Sequence, residues 1–421
     1  MAYDFDTVHN RRGTYCTQWD YIQDRFGEAG ILPFSISDHD FRVPDPIVAR
    51  LHEIVDSGIY GYTRWNHHDF KGAVTGFIAR RFGVELPEEW VVYSPSVMYT
   101  IARLMCFFTE PGDGVAAFGP MYDSFIKIVE GNGRKLVANK LLDKGGHYEI
   151  DFESLERALA SSRVLLLCSP HNPTGRVWTA EELGRIVELC RAHRVKIISD
   201  EIHMDLELAP ERRHIPSLAF YRDYPEIYLV SSCTKTLNTP GLVGSYALMP
   251  NEDVREQFLY QTRNRDLLNS ASIMGMHAHM VGYTECDDYI DELRAYLRGN
   301  HEAVKAFIDS ELPDLSFEIP EATCLSWIDA RRVPFSSAEI QDALVHVGRV
   351  GIMPGETYGV GGEGYLRMCI GGPRSKVEEG LKRLKLGMDA LYAGAVTTGA
   401  SAGEVAVGAG AGTATKGVSA A

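Results

Sequence analysis

From residue 91 onward, short apolar runs alternate with longer stretches whose apolar residues recur at helical spacing. VVY (91–93), GVAAF (114–118), KLVANKL (135–141), RVLLLCSP (163–170), KIISDEIH (196–203) and IYLVSS (227–232) have the look of strands. Between them, SPSVMYTIARLM turns into a helix at Ser96, DFESLERAL is a helix capped by Asp151, and EELGRIVELCRAHRV is a third. Runs with little polar alternation suit strands buried on both faces, so the pattern predicts a largely parallel sheet covered by helices. Ligands of such sheets bind beyond the carboxyl ends of the strands.

Those ends carry chemistry. Ser94 and Ser96, Tyr122 after a Gly-Pro turn, Asn172 in HNPTG, Asp200 closing KIIS, and Lys235 in SSCTK all fall there. A lysine just past a buried strand sits half in the protein and half in a cleft, where desolvation lowers its pKa and frees the amine to attack a carbonyl. A buried Asp200 needs a cationic partner. The start of a helix at Ser96 to Met98 offers free N–H groups to a phosphate. Taken singly, each has a plainer reading: a surface lysine in a turn, a capping aspartate, a turn asparagine, a packed tyrosine. Their convergence on one sheet edge favours a site.

At 421 residues the chain is too long for one ordinary core. The expected division is an N-terminal segment, 1–50, that joins a smaller domain; a large domain over 51–284; the small C-terminal domain over 285–393; and a disordered Ala/Gly-rich tail over 394–421. Pro46 opens a helix through Ile47, Leu51 and Ile54, and Asn66 is expected to cap the next, with Phe70, Val74, Phe77 and Ile78 on one face. YTECDDYIDELRAYLRGNHEAVKAFI reads as one long amphipathic helix, TCLSWIDA and GYLRMCIG as strands, and VEEGLKRLKLGMDALY as a last helix. A net charge of −15 without basic blocks disfavours nucleic acid as a partner. The most apolar window, 91–108, contains Ser94, Pro95, Ser96 and Arg103 and is no membrane span. MAYDFDTVHNRR is too polar for a secretory leader, and eight scattered cysteines without a C-x-x-C pair suit a reducing, cytoplasmic setting. His67 and His68 are adjacent and share no helix face, so no metal site is expected.

The order SPSV, GPMY, NPTG, SDEIH, SSCTK and LRM resembles the fold-type I pyridoxal-phosphate enzymes, the aspartate aminotransferase superfamily. FDTVHNRRGTYCTQWD, SDHDFRVP, YGYT, WIDARRVPF and GEGYLRMCIGGPR narrow the resemblance to its MalY/PatB branch of cystathionine β-lyase-like carbon–sulfur lyases, from residue 4 to about 392. The resemblance implies an α/β fold with a large, mostly parallel sheet and a smaller α/β domain, and pyridoxal 5′-phosphate as cofactor. It implies that Lys235 carries the cofactor covalently, Asp200 pairs with the ring nitrogen, Tyr122 stacks on the ring, and Asn172 and His203 hold the phenolic oxygen. Val97 and Met98 N–H groups with Ser232 and Thr234 would hold the phosphate. Tyr62 would reach the phosphate of a neighbouring subunit, which implies a homodimer. Arg367 would grip the α-carboxylate of a small amino-acid substrate.

The chain departs from that branch where the substrate should lie. It has Ser37-Asp38-His39-Asp40-Phe41 for Ala-Asp-Met-Asp-Phe, Cys369 for an asparagine, Gly371-Gly372-Pro373-Arg374 for Ala-Cys-Pro-Arg, and Thr239-Pro240-Gly241-Leu242 for an apolar-Ala-Gly-Leu segment. His39 is expected either as a substrate contact at the cleft mouth or as a structural histidine. The reading is therefore β-elimination from an L-cysteine S-conjugate or a cystathionine-like substrate. The competing readings are an aminotransferase or a decarboxylating oxidative deaminase on the same cofactor, and a binding or regulatory protein, for which an intact Lys235–Asp200 pair gives no reason. A second arginine for a dicarboxylate is not evident, since Arg263 and Arg265 read as a solvated face.

Overall fold

The central sheet of the computed structural model has seven strands, in the order Val91–Ser94, Ser245–Leu248, Ile227–Ser231, Lys196–Asp200, Ser162–Cys168, Gly114–Gly119 and Lys135–Lys140. The structure describes residues 3–268 and 270–394, so the expected disordered tail lies, beyond Gly394, outside the described residues. Six of the seven strands run in one direction, five of them paired directly in parallel. Ser245–Leu248, which the sequence pattern did not reveal, is antiparallel to both of its neighbours. The register sets Cys168 opposite Asp200 and Asp200 opposite Val230, so the carboxyl ends of three central strands finish level.

The helices start where side chains satisfy their free N–H groups. Ser96 accepts from Tyr99 N–H at the start of the Val97–Phe108 helix, and Thr179 with Glu182 forms a reciprocal capping box for Ala180–His193. His67, not Asn66, caps His68–Phe82: its ring accepts from Phe70 N–H, while Phe70, Val74, Phe77 and Ile78 are buried as the spacing requires. The stretch read as one helix from 283 is two, Ile273–Glu285 and Asp287–Glu311, meeting at Cys286.

Past these helices lies a three-stranded antiparallel sheet of Leu325–Asp329, Tyr365–Cys369 and Met353–Pro354, covered by the helix Arg374–Tyr392 among others. The N-terminal segment is woven into this part. Leu32–Pro33 pairs in parallel with Val350–Gly351, Cys369 N–H donates to Phe34 O (3.0 Å), and Asp40 N–H donates to Gly371 O (2.8 Å). Arg11 ties the same segment down by donating to His39 O (2.9 Å), Asp40 Oδ1 (2.9 Å) and Asp38 Oδ2 (2.6 Å). Residues 35–41 are thereby held between the C-terminal strands and the edge of the large sheet.

Candidate active site

A cavity of about 440 Å³ opens at the carboxyl ends of the parallel strands. Most of the residues singled out from the sequence line it: Val97 and Met98, Tyr122, Asn172, Asp200, His203, Ser232, Thr234 and Lys235. Ser96 and Ser37 line it too. The strand Ile227–Ser231 delivers Lys235 through the turn that follows it, and that turn is pinned from beneath by the Thr236 hydroxyl, which donates to Asp205 Oδ2 (3.0 Å).

Burial dominates the electrostatics of this cavity. It lowers the pKa of Lys235, with Asp38, Cys324 and Cys369 acting in the opposite sense. The amine donates to the carbonyl and the hydroxyl of Ser37, both at 3.2 Å. Burial also raises Asp200 to about 7, against the lowering effects of the Ile202 N–H and of Lys235. His203 is pushed down to about 3, again by burial first, so it is neutral across the physiological range. Tyr122 is raised by burial and keeps its phenolic proton.

These residues fit pyridoxal phosphate. Asp200 is a buried carboxylate whose ionised form lacks a cation in contact, which is what a protonated ring nitrogen supplies. His203 Nδ1 is buried without a partner. Val97 and Met98, as the first residues of a twelve-residue helix, have N–H groups with no intrahelical acceptor, beside the hydroxyls of Ser232 and Thr234. Tyr122 adds an aromatic face. Among the described residues, no cluster of His, Cys, Asp or Glu could hold a metal ion.

Three expected residues are not in the cavity wall. Arg367 stands one side chain behind it: Nη1 donates to Asn172 Oδ1 (3.2 Å), Nη2 to Ser35 O (2.8 Å), and Nε is buried without a partner. Tyr62 is fully exposed on its own chain. His39, expected either as a contact at the mouth or as a hydrogen-bonded structural histidine, is fully buried; its ring packs edge-on against Phe41, and neither ring nitrogen has a partner. Burial holds it down to about 4, with the Lys235 charge adding to the effect, so it is a neutral packing group.

Two residues that the sequence reading did not assign bear on the cavity, one lining it and one holding its edge. Ser37 receives the Lys235 amine, and Asn238 clamps the Ser37–Phe41 segment onto the lysine turn. Asn238 Oδ1 accepts from His39 N–H (3.1 Å), and its Nδ2 donates to His39 O (2.9 Å) and Phe41 O (2.8 Å). Arg263 and Arg265 are exposed, as expected of a solvated face.

Comparison with known proteins agrees with this geometry. The family model for aminotransferase class I and II matches residues 29–384. Protein MalY of Escherichia coli (strain K12) is 38% identical, covering 91% of this chain and 98% of that protein. Cystathionine beta-lyase PatB of Bacillus subtilis (strain 168) is 37% identical, covering 91% and 99%. Among solved structures, cystalysin from Treponema denticola, which contains a pyridoxal 5′-phosphate cofactor, superposes with a TM-score of 0.88 at 29% identity, covering 93% of this chain and 100% of that one.

Proposed function

The chain belongs to the aminotransferase class I and II family, and on that footing we propose that it is a pyridoxal-phosphate-dependent carbon–sulfur β-lyase acting on an L-cysteine S-conjugate. The observation that carries this reading is the buried Lys235 amine in a cavity shared with Asp200, in a chain that matches lyases over nine-tenths of its length. Val97 and Met98 N–H groups with Ser232 and Thr234 would hold the phosphate. Asp200 would pair with the ring nitrogen, Tyr122 would offer an aromatic face to the ring, and Asn172 with His203 would hold the phenolic oxygen. Bound there, the cofactor supplies the electron sink for the pair released at the substrate Cα.

The remaining steps belong to the protein's own groups. Arg367 and Asn172 orient the α-carboxylate, so that the Cα–H bond faces Lys235. Desolvation leaves the Lys235 amine basic enough to take that proton at Nζ yet disfavours its charged form at rest. The carbonyl and hydroxyl of Ser37 receive the resulting ammonium. The Cβ–S bond then breaks with both electrons on sulfur, and the lysine proton is at hand for the departing thiolate. With one water taken up, the net products are pyruvate, ammonia and a free thiol. Two copies complete each site, Tyr62 of one reaching the phosphate of the other. The eight free thiols suit a reducing cytoplasm, and no helix among the described residues is long and apolar enough to cross a membrane.

The test is a panel of L-cysteine S-conjugates, cystathionine included, incubated with and without 2-oxoglutarate. Stoichiometric pyruvate, ammonia and thiol, independent of the keto acid, are expected. Transfer of the amino group to 2-oxoglutarate, or release of carbon dioxide with an aldehyde, would replace the lyase reading with one of the competing reactions.

A further inference from the structure

Two thiols face each other beside the site, and the reaction above uses neither. Cys369 lies two residues beyond Arg367 in the strand Tyr365–Cys369, and strand alternation puts both on one face. Leu325 is the register partner of Cys369, and Ile370 N–H donates to Cys324 O (2.8 Å), so Cys324 sits one step off that partner. In a regular strand this offset would point the two side chains to opposite faces. Thr323 breaks the regularity with φ of +77°, a region that β-branched residues rarely adopt. The kink is held on both sides: Thr323 N–H donates to Leu206 O (2.8 Å), and its carbonyl accepts from His301 Nε2 (3.0 Å). Cys324 is thereby turned onto Cys369, Sγ to Sγ 3.8 Å, with both residues buried. Strained backbone of this kind persists where the surroundings over-determine it, and it gathers at functional positions.

The sulfurs also touch the machinery. Cys369 Sγ lies 3.8 Å from Asp38 O, directly after the Ser37 carbonyl and hydroxyl that receive Lys235. Sharing a proton with Cys324 holds the Cys369 thiol below the ordinary range, and Arg367 favours its thiolate further, while Cys324 is pushed up. Two sulfurs already in contact need to close only the remaining gap to form a disulfide.

We propose that Cys324 and Cys369 form a redox modification site, which a peroxide converts to an intramolecular disulfide and so reversibly stops turnover. The Cys369 thiolate attacks hydrogen peroxide; an S–O bond forms, the O–O bond breaks, and the released hydroxide takes a proton to leave as water. The Cys324 sulfur then attacks Cys369 Sγ, an S–S bond forms, and the S–O bond breaks to give a second water. Two thiols and one peroxide become one disulfide and two waters, the thiols losing two electrons. Closing the pair draws the sulfurs to about 2 Å and removes the thiol proton that Cys369 shares with Asp38 O. That loosens the backbone on which Lys235 rests. The effect on turnover rests on the lyase reading; the cross-link does not.

The holoenzyme is treated with hydrogen peroxide and digested without reduction, and the peptides are read by tandem mass spectrometry. A Cys324–Cys369 linked peptide is expected, together with at least a tenfold loss of conjugate cleavage that dithiothreitol restores. Cys369→Asn and Cys324→Ser should lose both the link and the reversible inactivation. The proposal is overturned if no such link forms under peroxide that oxidises the more accessible Cys106, or if inactivation reversible by dithiothreitol persists in both variants. Should a variant fold poorly, the wild-type link decides. A link in a protein that cleaves no conjugate would leave the modification standing and remove the lyase reading.

Discussion

At Lys235 burial and neighbouring charge pull in opposite directions. Burial lowers the amine's pKa, and the Asp38 carboxylate and the two nearby thiols raise it. The Ser37 hydroxyl adds an acceptor that the branch's alanine does not offer. Ser37→Ala leaves the backbone carbonyl in place, so a loss of about tenfold in kcat is expected, in line with about 1.5 kcal/mol for a hydrogen bond to a charged group. KM should stay within about twofold, since the contact favours the charged lysine over bound substrate. A changed KM with unaltered kcat would place Ser37 in substrate binding instead. Asp200 makes a second prediction, in the protein freed of cofactor. Its folded pKa is raised to about 7 by burial. A raised carboxyl favours folding below the unfolded value near 3.8, and that contribution is lost as pH rises through 7. Denaturant unfolding at pH 5 and pH 8 should therefore show wild type losing more stability than Asp200→Asn, by about 2.5 kcal/mol at most. Asp205 is raised in the same way and is common to both proteins, so an equal pH dependence in the two would contradict the assignment.

Between elements, two departures from the lyase branch prove to be halves of one contact. Gly371 has no side chain where a Cβ would collide with the His39 ring, so histidine in place of methionine at 39 goes with glycine in place of alanine at 371. Gly371→Ala should cost about 1–3 kcal/mol as overpacking, and much less in a His39→Ala background. Additive losses in that double-mutant cycle would mean that the two sites are not coupled. The same contact shows what a sequence can and cannot disclose. The parallel strands and their terminal groups were legible, because apolar runs and helical periods are local. Ser37 and Lys235 meet across 198 positions, and Gly371 meets His39 only through the fold, so no periodicity encodes either pairing. Ser245–Leu248 escaped because four residues behind a glycine carry too short a pattern. The break at Cys286 escaped because apolar spacing continues across it. His67 displaced Asn66 as the cap because a ring nitrogen can also accept the third N–H of the helix.

For the whole molecule, the question is what covers the loop that bears Tyr62. Ile59 is 75% exposed, and Tyr62 is entirely so. Thr63 beside them is bonded to Ser270 and Ala271, close in sequence to Leu267, which is 74% exposed. Large apolar side chains exposed on adjoining loops mark an association surface, and a second copy is the partner that would also bring Tyr62 to a site it cannot enter in its own chain. In the dimer proposed above, an isologous interface would make the exchange mutual, each subunit lending Tyr62 to the other. Lys235→Ala should be inactive at its own site, because no amine remains to take the Cα proton, yet it still offers an intact Tyr62. Tyr62→Ala should keep the lysine and weaken the phosphate grip of the partner's site, raising the cofactor concentration needed for half-saturation. If the two variants are unfolded together and refolded at equal amounts, half of the dimers should be mixed, and each mixed dimer holds one site with both residues. At limiting cofactor, activity should then return to roughly a quarter of wild type, well above either variant alone. Confirmed mixed dimers with no such gain would show that Tyr62 serves its own chain or no site at all.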